Sequence, residues 1–143
     1  MEPRISLITL GVEDLGRAQR FYEALGWRRS AASVAGEVAF YQANGFALAL
    51  WSWRSLAGDA RVAAAGDGFR RIALAYNVRA KEDVDRVLAE AAAAGATVTK
   101  PAEDSPHFTG RTGYFADPDG HLWEVAWNPA FALDENGALT LPE

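Results

Sequence analysis

The feature that most constrains the fold of this chain is an internal repeat about half its length. Residues 36–51 align with residues 110–125 if the second turn carries one extra residue. In each half a strand-like run and an amphipathic helix precede these aligned segments. Duplicated units of this kind must bury their sheet faces against helices, so the repeat predicts an α+β fold of tandem βαβββ modules.

The first half contains clear signals for where its elements start and stop. Asp14 stands where a residue capping the start of a helix is expected, and Gly26 can take the left-handed conformation that ends one. The dipeptide Asn44-Gly45 is typical of a hairpin turn. The predicted elements are strands at 4–12, 36–42 and 46–51, a weak strand at 27–33, and a helix at 15–25.

The second half repeats this order. Gly95 ends its helix as Gly26 ends the first, and the run from Asp117 to Gly120 predicts the turn of its hairpin. The predicted elements are strands at 70–78, 97–100, 112–116 and 121–127, and a helix at 80–94.

Length and composition indicate a single domain. The chain has 143 residues, 50% of them hydrophobic, enough for one compact core. We divide it into module one at about 4–53, a linker at about 54–69, module two at about 70–128 and a C-terminal tail at 129–143. Residues 54–69 mix alanine, glycine and charge without a clear period, which is typical of a connection.

Charge and residue usage exclude several classes of function. The formal net charge of −5 disfavours nucleic acid and anionic membranes as partners. Without cysteine the chain has no disulfide or thiolate chemistry, and only His107 and His121 remain as imidazole bases or ligands. With no apolar run long enough to span a membrane, we expect a cytoplasmic protein.

Three segments resemble the vicinal oxygen chelate superfamily, which includes glyoxalases, bleomycin resistance proteins and extradiol dioxygenases. They are residues 10–27, from Leu-Gly-Val-Glu-Asp-Leu to Phe-Tyr-Glu-Ala-Leu-Gly-Trp, the helix from Glu82 to Gly95, and residues 114–125, Tyr-Phe-Ala-Asp-Pro-Asp-Gly-His-Leu-Trp-Glu-Val. The resemblance implies curled mixed sheets around a cavity, which a second subunit completes in many members. A homodimer is therefore expected.

The resemblance also implies a divalent metal held by His, Glu or Gln side chains on four strands, and this pattern mostly fails. Glu124 matches one of the four metal-ligand positions. The equivalent position in module one is Ala49, and the two first-strand positions fall near Leu7 and Ala73. One carboxylate cannot hold a divalent ion firmly. We therefore predict no metal ligands and no cofactor, with a metal bound through other ligands as the alternative.

Two residues are candidates for chemistry. Glu124 lies among apolar neighbours, so it must be paired, protonated or exposed to a wet cavity; it is either a ligand-binding or basic group, or a carboxylate paired with Arg71. His107 lies in a loop rich in proline and glycine and is either a surface residue or a proton relay. His121 follows a turn and is expected to support it.

Strand alternation predicts a cavity lining of small and aromatic residues, unless larger side chains fill the space. On the same alternation, Trp123 and Trp127 pack beneath the helices. The candidate ligand-binding residues are Leu7, Thr9, Ala47, Ala49, Trp51, Arg71, Ala73, Ala75 and Glu124.

Three functions are compatible with these observations. The first is binding of a small hydrophobic or aromatic molecule in an apolar cavity with a largely lost metal site, as in drug-sequestering resistance proteins. The second is a glyoxalase-like lyase or isomerase, or a dioxygenase-like enzyme, with an altered metal site or with Glu124 as base and His107 as relay. The third is an accessory dimer without a ligand.

Overall fold

The computed structural model describes residues 6–61, 63–66, 70 and 72–140, and the chain divides after Arg70 into two compact units. The predicted α+β fold class is confirmed, with two mixed sheets and three helices in the described residues. None of these helices is long and apolar enough to cross a membrane.

Unit 1 consists of a three-stranded sheet and two helices. Strand β1 pairs in parallel with β3, and β2 pairs with β3 in antiparallel, so the strand order is β1-β3-β2. Its elements are β1 (Leu7–Val12), α1 (Leu15–Ala24), β2 (Val38–Gln42), β3 (Ala47–Ser52) and α2 (Trp53–Asp59).

The start and stop signals of α1 are confirmed. The carboxylate of Asp14 accepts a hydrogen bond of 2.8 Å from the backbone N–H of Arg17. This bond is the main reason why the pKa of Asp14 is lowered. Gly26, just beyond the helix, has a φ of +87°, which glycine adopts without strain.

Aromatic contacts hold α1 on one face of the sheet. Ala18, Phe21 and Tyr22 are its buried residues, and the rings of Tyr22 and Tyr41 lie 6.3 Å apart. Since directly paired residues share a face, the same face of the sheet carries the buried side chains Leu10, Val12, Ala39, Leu48 and Leu50. On the opposite face, Trp53 and Leu56 of α2 pack against Gly11.

Unit 2 repeats this arrangement with one strand more. Its sheet has the order β4-β7-β6-β5, with β4 and β7 parallel and the other pairs antiparallel. Its elements are β4 (Ala73–Asn77), α3 (Asp83–Ala94), β5 (Thr97–Asp104), β6 (Arg111–Ala116), β7 (Leu122–Trp127), β8 (Ala132–Leu133) and β9 (Leu139–Thr140). Helix α3 buries Val84, Leu88 and Ala91 and ends at Gly95, where φ is +109°.

The weak strand predicted at 27–33 is wrong, because within it only Arg29 forms a bridge, to Tyr41. Serine side chains bond the backbone there in place of a regular ladder. The hydroxyl of Ser30 accepts from the N–H of Ala32 at 3.2 Å, and that of Ser33 accepts from the N–H of Phe40 at 2.9 Å. The sheet of unit 1 therefore has three strands.

Three other segments are more regular than predicted. The segment at 54–69 begins inside helix α2, and strand β5 runs past Lys100 to Asp104 with two irregularities in its pairing with β6. Pro101 is tolerated there because β5 is an edge strand. The tail contains the β8–β9 hairpin, where Arg79 donates to the carbonyl of Asp134 at 2.6 Å.

Candidate functional site

The predicted lining residues of unit 1 share one face of its sheet. Leu7 pairs with Ala47, Thr9 with Ala49, and Gly11 with Trp51. These residues alternate with the buried residues under α1, so they lie on the opposite face. We call it the Ala49 face. It presents no acidic or imidazole side chain at these paired positions.

Burial varies along the Ala49 face. Leu7 is exposed, whereas Ala49 is only 1% exposed. Phe40, the antiparallel partner of Ala49, belongs to the same face and was not identified from the sequence. Alternation along β2 is the signal that would have found it. Ala49 therefore stands in packed surroundings.

The corresponding residues of unit 2 also share a face, and it carries the acidic group. Ala73 pairs with Leu122 and Ala75 pairs with Glu124, on the side opposite α3. Both alanines are exposed and Glu124 is half-buried. Arg71, the predicted partner of Glu124, lies outside the described residues. We call this surface the Glu124 face.

One hydroxyl group holds the carboxylate of Glu124. The hydroxyl of Thr112 donates to Oε1 at 2.9 Å, and Tyr114 is the cross-strand partner of Glu124. Burial, and then the charge of Glu124, raise the pKa of Tyr114. The sequence prediction missed both residues, although the hairpin register would have placed them beside Glu124.

A cross-strand row extends this cluster to the edge of the sheet. Lys100 pairs with Tyr114 across β5 and β6, and its ammonium lies 5.9 Å from the centre of the tyrosine ring. Lys100 also forms an ion pair of 3.1 Å with Glu103. The Glu124 face thus presents, from one edge to the other, Lys100, Tyr114, Glu124 and Ala75.

The side chains present do not fit the divalent metal that this fold family implies. Among the described residues, no group of three or more acidic or imidazole side chains lies close enough together to hold an ion. The register shows why: the partners of Glu124 are Ala75 and Tyr114, and those of Ala49 are Thr9 and Phe40. A single carboxylate among these side chains is a weak ligand set.

The two histidines have different surroundings. His107 is exposed and lines a groove together with Trp127. Glu124 does not line this groove. His121 is buried, and its backbone N–H donates to the carboxylate of Asp117 at 2.8 Å, which closes the preceding turn. The structure therefore places Glu124 with the hydroxyl of Thr112 and not with an imidazole relay.

The tryptophans of β7 lie on the other face, as alternation predicts. Trp123 stacks on Phe115, its cross-strand partner, with ring centres 6.2 Å apart. Trp127 has the same strand parity. Neither residue is on the Glu124 face, so the aromatic member of that face is Tyr114.

Comparison with known proteins agrees with this architecture. The model of the Glyoxalase/Bleomycin resistance protein/Dioxygenase superfamily matches residues 4–125. The chain is 40% identical to a glyoxalase-related enzyme from Fulvimarina pelagi, over 99% of each chain and with a TM-score of 0.87. A glyoxalase/bleomycin resistance protein/dioxygenase from Nocardioides is 25% identical, over 99% of this chain and 91% of that one, with a TM-score of 0.73.

A more distant structure is similar in fold alone. Lactoylglutathione lyase from Agrobacterium tumefaciens is 19% identical over 87% of this chain and 93% of that one, with a TM-score of 0.64. No curated protein sequence matches the chain. The family match and the 40% identical structure both cover most of its length, and the chain therefore belongs to the glyoxalase/bleomycin resistance protein/dioxygenase superfamily.

Proposed function

We propose that the protein is a cytoplasmic binder of a small apolar or aromatic molecule, which it holds on the Glu124 face without a resident divalent metal and without chemical change. The observation that carries this proposal is the carboxylate of Glu124, held by the hydroxyl of Thr112 and lying beside Tyr114 and the exposed Ala75. Drug-sequestering resistance proteins are the functional analogue within the family.

The arrangement supports binding for two reasons. A carboxylate can accept about four hydrogen bonds, so Glu124 keeps acceptor capacity for a ligand N–H or O–H beyond the bond from Thr112. The methyl groups of Ala73 and Ala75 leave room for an apolar body, and the ring of Tyr114 offers it a surface to pack on. A few placed polar groups on an apolar surface are typical of small-molecule sites.

Glu124→Gln is expected to weaken binding of N-phenyl-1-naphthylamine by about tenfold or more, since a hydrogen bond to a charged group contributes roughly 1.5–3 kcal/mol. This uncharged aromatic amine carries one N–H donor and fluoresces more strongly in an apolar site, so titration measures its Kd. The melting temperature should change little, because glutamine keeps an acceptor for Thr112. A large loss of stability with unchanged binding would show instead that Glu124 is structural.

A second candidate function is a metal-free lyase or isomerase with Glu124 as the base. The 40% identical relative is described as a glyoxalase-related enzyme, and this favours catalysis in some form. The assay for this candidate is formation of lactoylglutathione. Activity in the parent protein that is lost in the Glu124→Gln variant would support catalysis over binding alone. A stoichiometric divalent ion in protein purified without a tag would instead favour an enzyme with an altered metal site.

We also propose that the protein is a homodimer. In unit 2, Tyr76 on the edge strand β4 is 52% exposed. Ile72, the residue before this strand, is 57% exposed. Exposed apolar residues along a strand edge are typical of surfaces that a second copy covers. Light scattering at micromolar concentration is expected to give twice the monomer mass, and Tyr76→Lys should lower it. If the parent protein and the Tyr76→Lys variant are both monomers, this proposal is wrong, and so is the accessory-dimer function.

A further inference from the structure

A concave surface of unit 2 lies away from the Glu124 face. It is a groove of about 520 Å³ formed by the loop between β5 and β6, Lys81 just before α3 and the end of β7. We call it the Trp127 groove. We propose that it binds a flat aromatic molecule carrying one carboxylate. Its size lies within the roughly 300–1,000 Å³ of small-molecule sites.

Two aromatic side chains form the apolar part of the groove. Trp127 and Phe108 both line it and both are half-buried. The ring of Phe108 crosses Gly110 so closely that a methyl group at that position would lie 2.6 Å from it. The glycine therefore lets the phenylalanine fold back toward β7, so the two aromatic residues can flank one flat ring.

Local hydrogen bonds give the loop a defined shape. The N–H of His107 donates to the hydroxyl of Ser105 at 3.2 Å, and the N–H of Ser105 donates to the carbonyl of Gly110 at 3.0 Å. These bonds close the loop at its base and leave the imidazole of His107 exposed in the groove. A loop already ordered in this way loses little conformational freedom on binding.

Alternating charges brace the groove on its polar side. Lys81 forms an ion pair of 2.8 Å with Asp104, which also lies 3.6 Å from Arg111. Arg111 in turn bonds both carboxylate oxygens of Asp85 on α3, at 2.8 and 2.9 Å. Hydrogen bonding and charge from Lys81, and then the charge of Arg111, lower the pKa of Asp104.

This charge arrangement leaves hydrogen-bond donors for an acidic ligand. Of the two carboxylates, Asp85 bonds Arg111, and Asp104 lies between Arg111 and Lys81, so each already has a cationic neighbour. An ammonium has three donors, and the bond to Asp104 uses one of them, which leaves two at Lys81. The imidazole of His107 adds another N–H. A ligand carboxylate can therefore be bonded by Lys81 and His107 while its ring lies between the aromatic walls.

The groove is chemically separate from the Glu124 face. Glu124 and Trp127 differ by three positions in β7, and an odd separation places their side chains on opposite faces of the strand. Glu124 also carries the opposite charge to the donors of the groove. A ligand at one site is thus not expected to depend on the side chain of the other.

Nuclear magnetic resonance of the amide groups at 105 and 107–110 tests the proposal directly, with indole-3-carboxylate as the probe. We expect shifts at these amides, weaker ones with indole, which lacks the carboxylate, and weaker ones with cyclohexanecarboxylate, which lacks the aromatic ring. Lys81→Met should raise the Kd of indole-3-carboxylate about tenfold, as expected for loss of a charge-assisted hydrogen bond. Because the pair it removes is exposed, folding should be unaffected.

Two control variants make the outcome decisive. Arg86→Met removes a cation from the exposed surface of α3 outside the groove and should leave the Kd unchanged. Glu124→Gln should also leave it unchanged, which separates this inference from the proposed function. The proposal is overturned if the amides at 105 and 107–110 do not shift, if Lys81→Met binds as tightly as the parent protein, or if Glu124→Gln abolishes the shifts.

Discussion

Gly110→Ala is expected to destabilise the protein by roughly 2–3 kcal/mol or more, through overpacking against groups that cannot move apart cheaply. A methyl group at this position would overlap the backbone carbonyl of Trp127 and touch the ring of Phe108. The carbonyl belongs to strand β7, whose ladder with β6 begins at the pair of Arg111 and Trp127. Relief of the overlap therefore requires a shift of the sheet or of the loop.

Urea denaturation measures this loss, and Gly58→Ala is the matched control. A methyl group at Gly58 would meet no atom within 4 Å, and Gly58 lies in helix α2, where alanine is favoured over glycine by up to about 1 kcal/mol. The control should thus be neutral or stabilising. Equal stability of both variants would contradict the close approach of the loop to β7, and the walls of the Trp127 groove with it.

Ala49→Phe and Ala75→Phe are expected to have opposite effects on stability and binding. Ala49 is almost fully buried, so the added ring must displace neighbours such as Phe40, at a cost of roughly 1–3 kcal/mol or more. Ala75 is exposed on an edge strand, where a substitution typically changes stability by no more than about 0.5 kcal/mol. Thermal unfolding of the two variants compares these effects.

The binding measurement then tests the Glu124 face. A ring at position 75 lies beside Glu124 on the neighbouring strand and occupies the volume expected for a ligand. Ala75→Phe should therefore keep its stability and lose the fluorescence response to N-phenyl-1-naphthylamine. A stable Ala75→Phe variant that binds the probe as the parent does would place the apolar site elsewhere.

Signals local in sequence predicted much of the fold. Asp14 and the glycines at 26 and 95 act through their own backbone or a neighbouring N–H, so the helix ends follow from short segments. The failure at 27–33 has the opposite origin. Ser33 bonds Phe40, seven positions away, and this competition with a strand ladder depends on where β2 lies.

The candidate site was predictable only in part. Alternation grouped Ala73 with Ala75 along β4, because that rule needs no knowledge of the partner strand, whereas their common face with Glu124 depends on the register of β4 with β7. Thr112 and Tyr114 reach Glu124 across a hairpin, and their identification requires the register of that hairpin. The approach of Phe108 to Gly110 depends on the loop conformation, for which the sequence carries no periodic signal.

The unequal burial of Ala49 and Ala75 also decides which mutational routes toward cation binding are open to this chain. A carboxylate at position 49 would lose its hydration beside Phe40, and an unpaired buried charge costs far more than most domains can tolerate. A carboxylate at position 75 would stay hydrated, and its repulsion from the adjacent Glu124 would be relieved by any cation that bound between them. A second carboxylate is therefore tolerated at position 75 after a single substitution in β4, whereas at position 49 it needs the surroundings to change first.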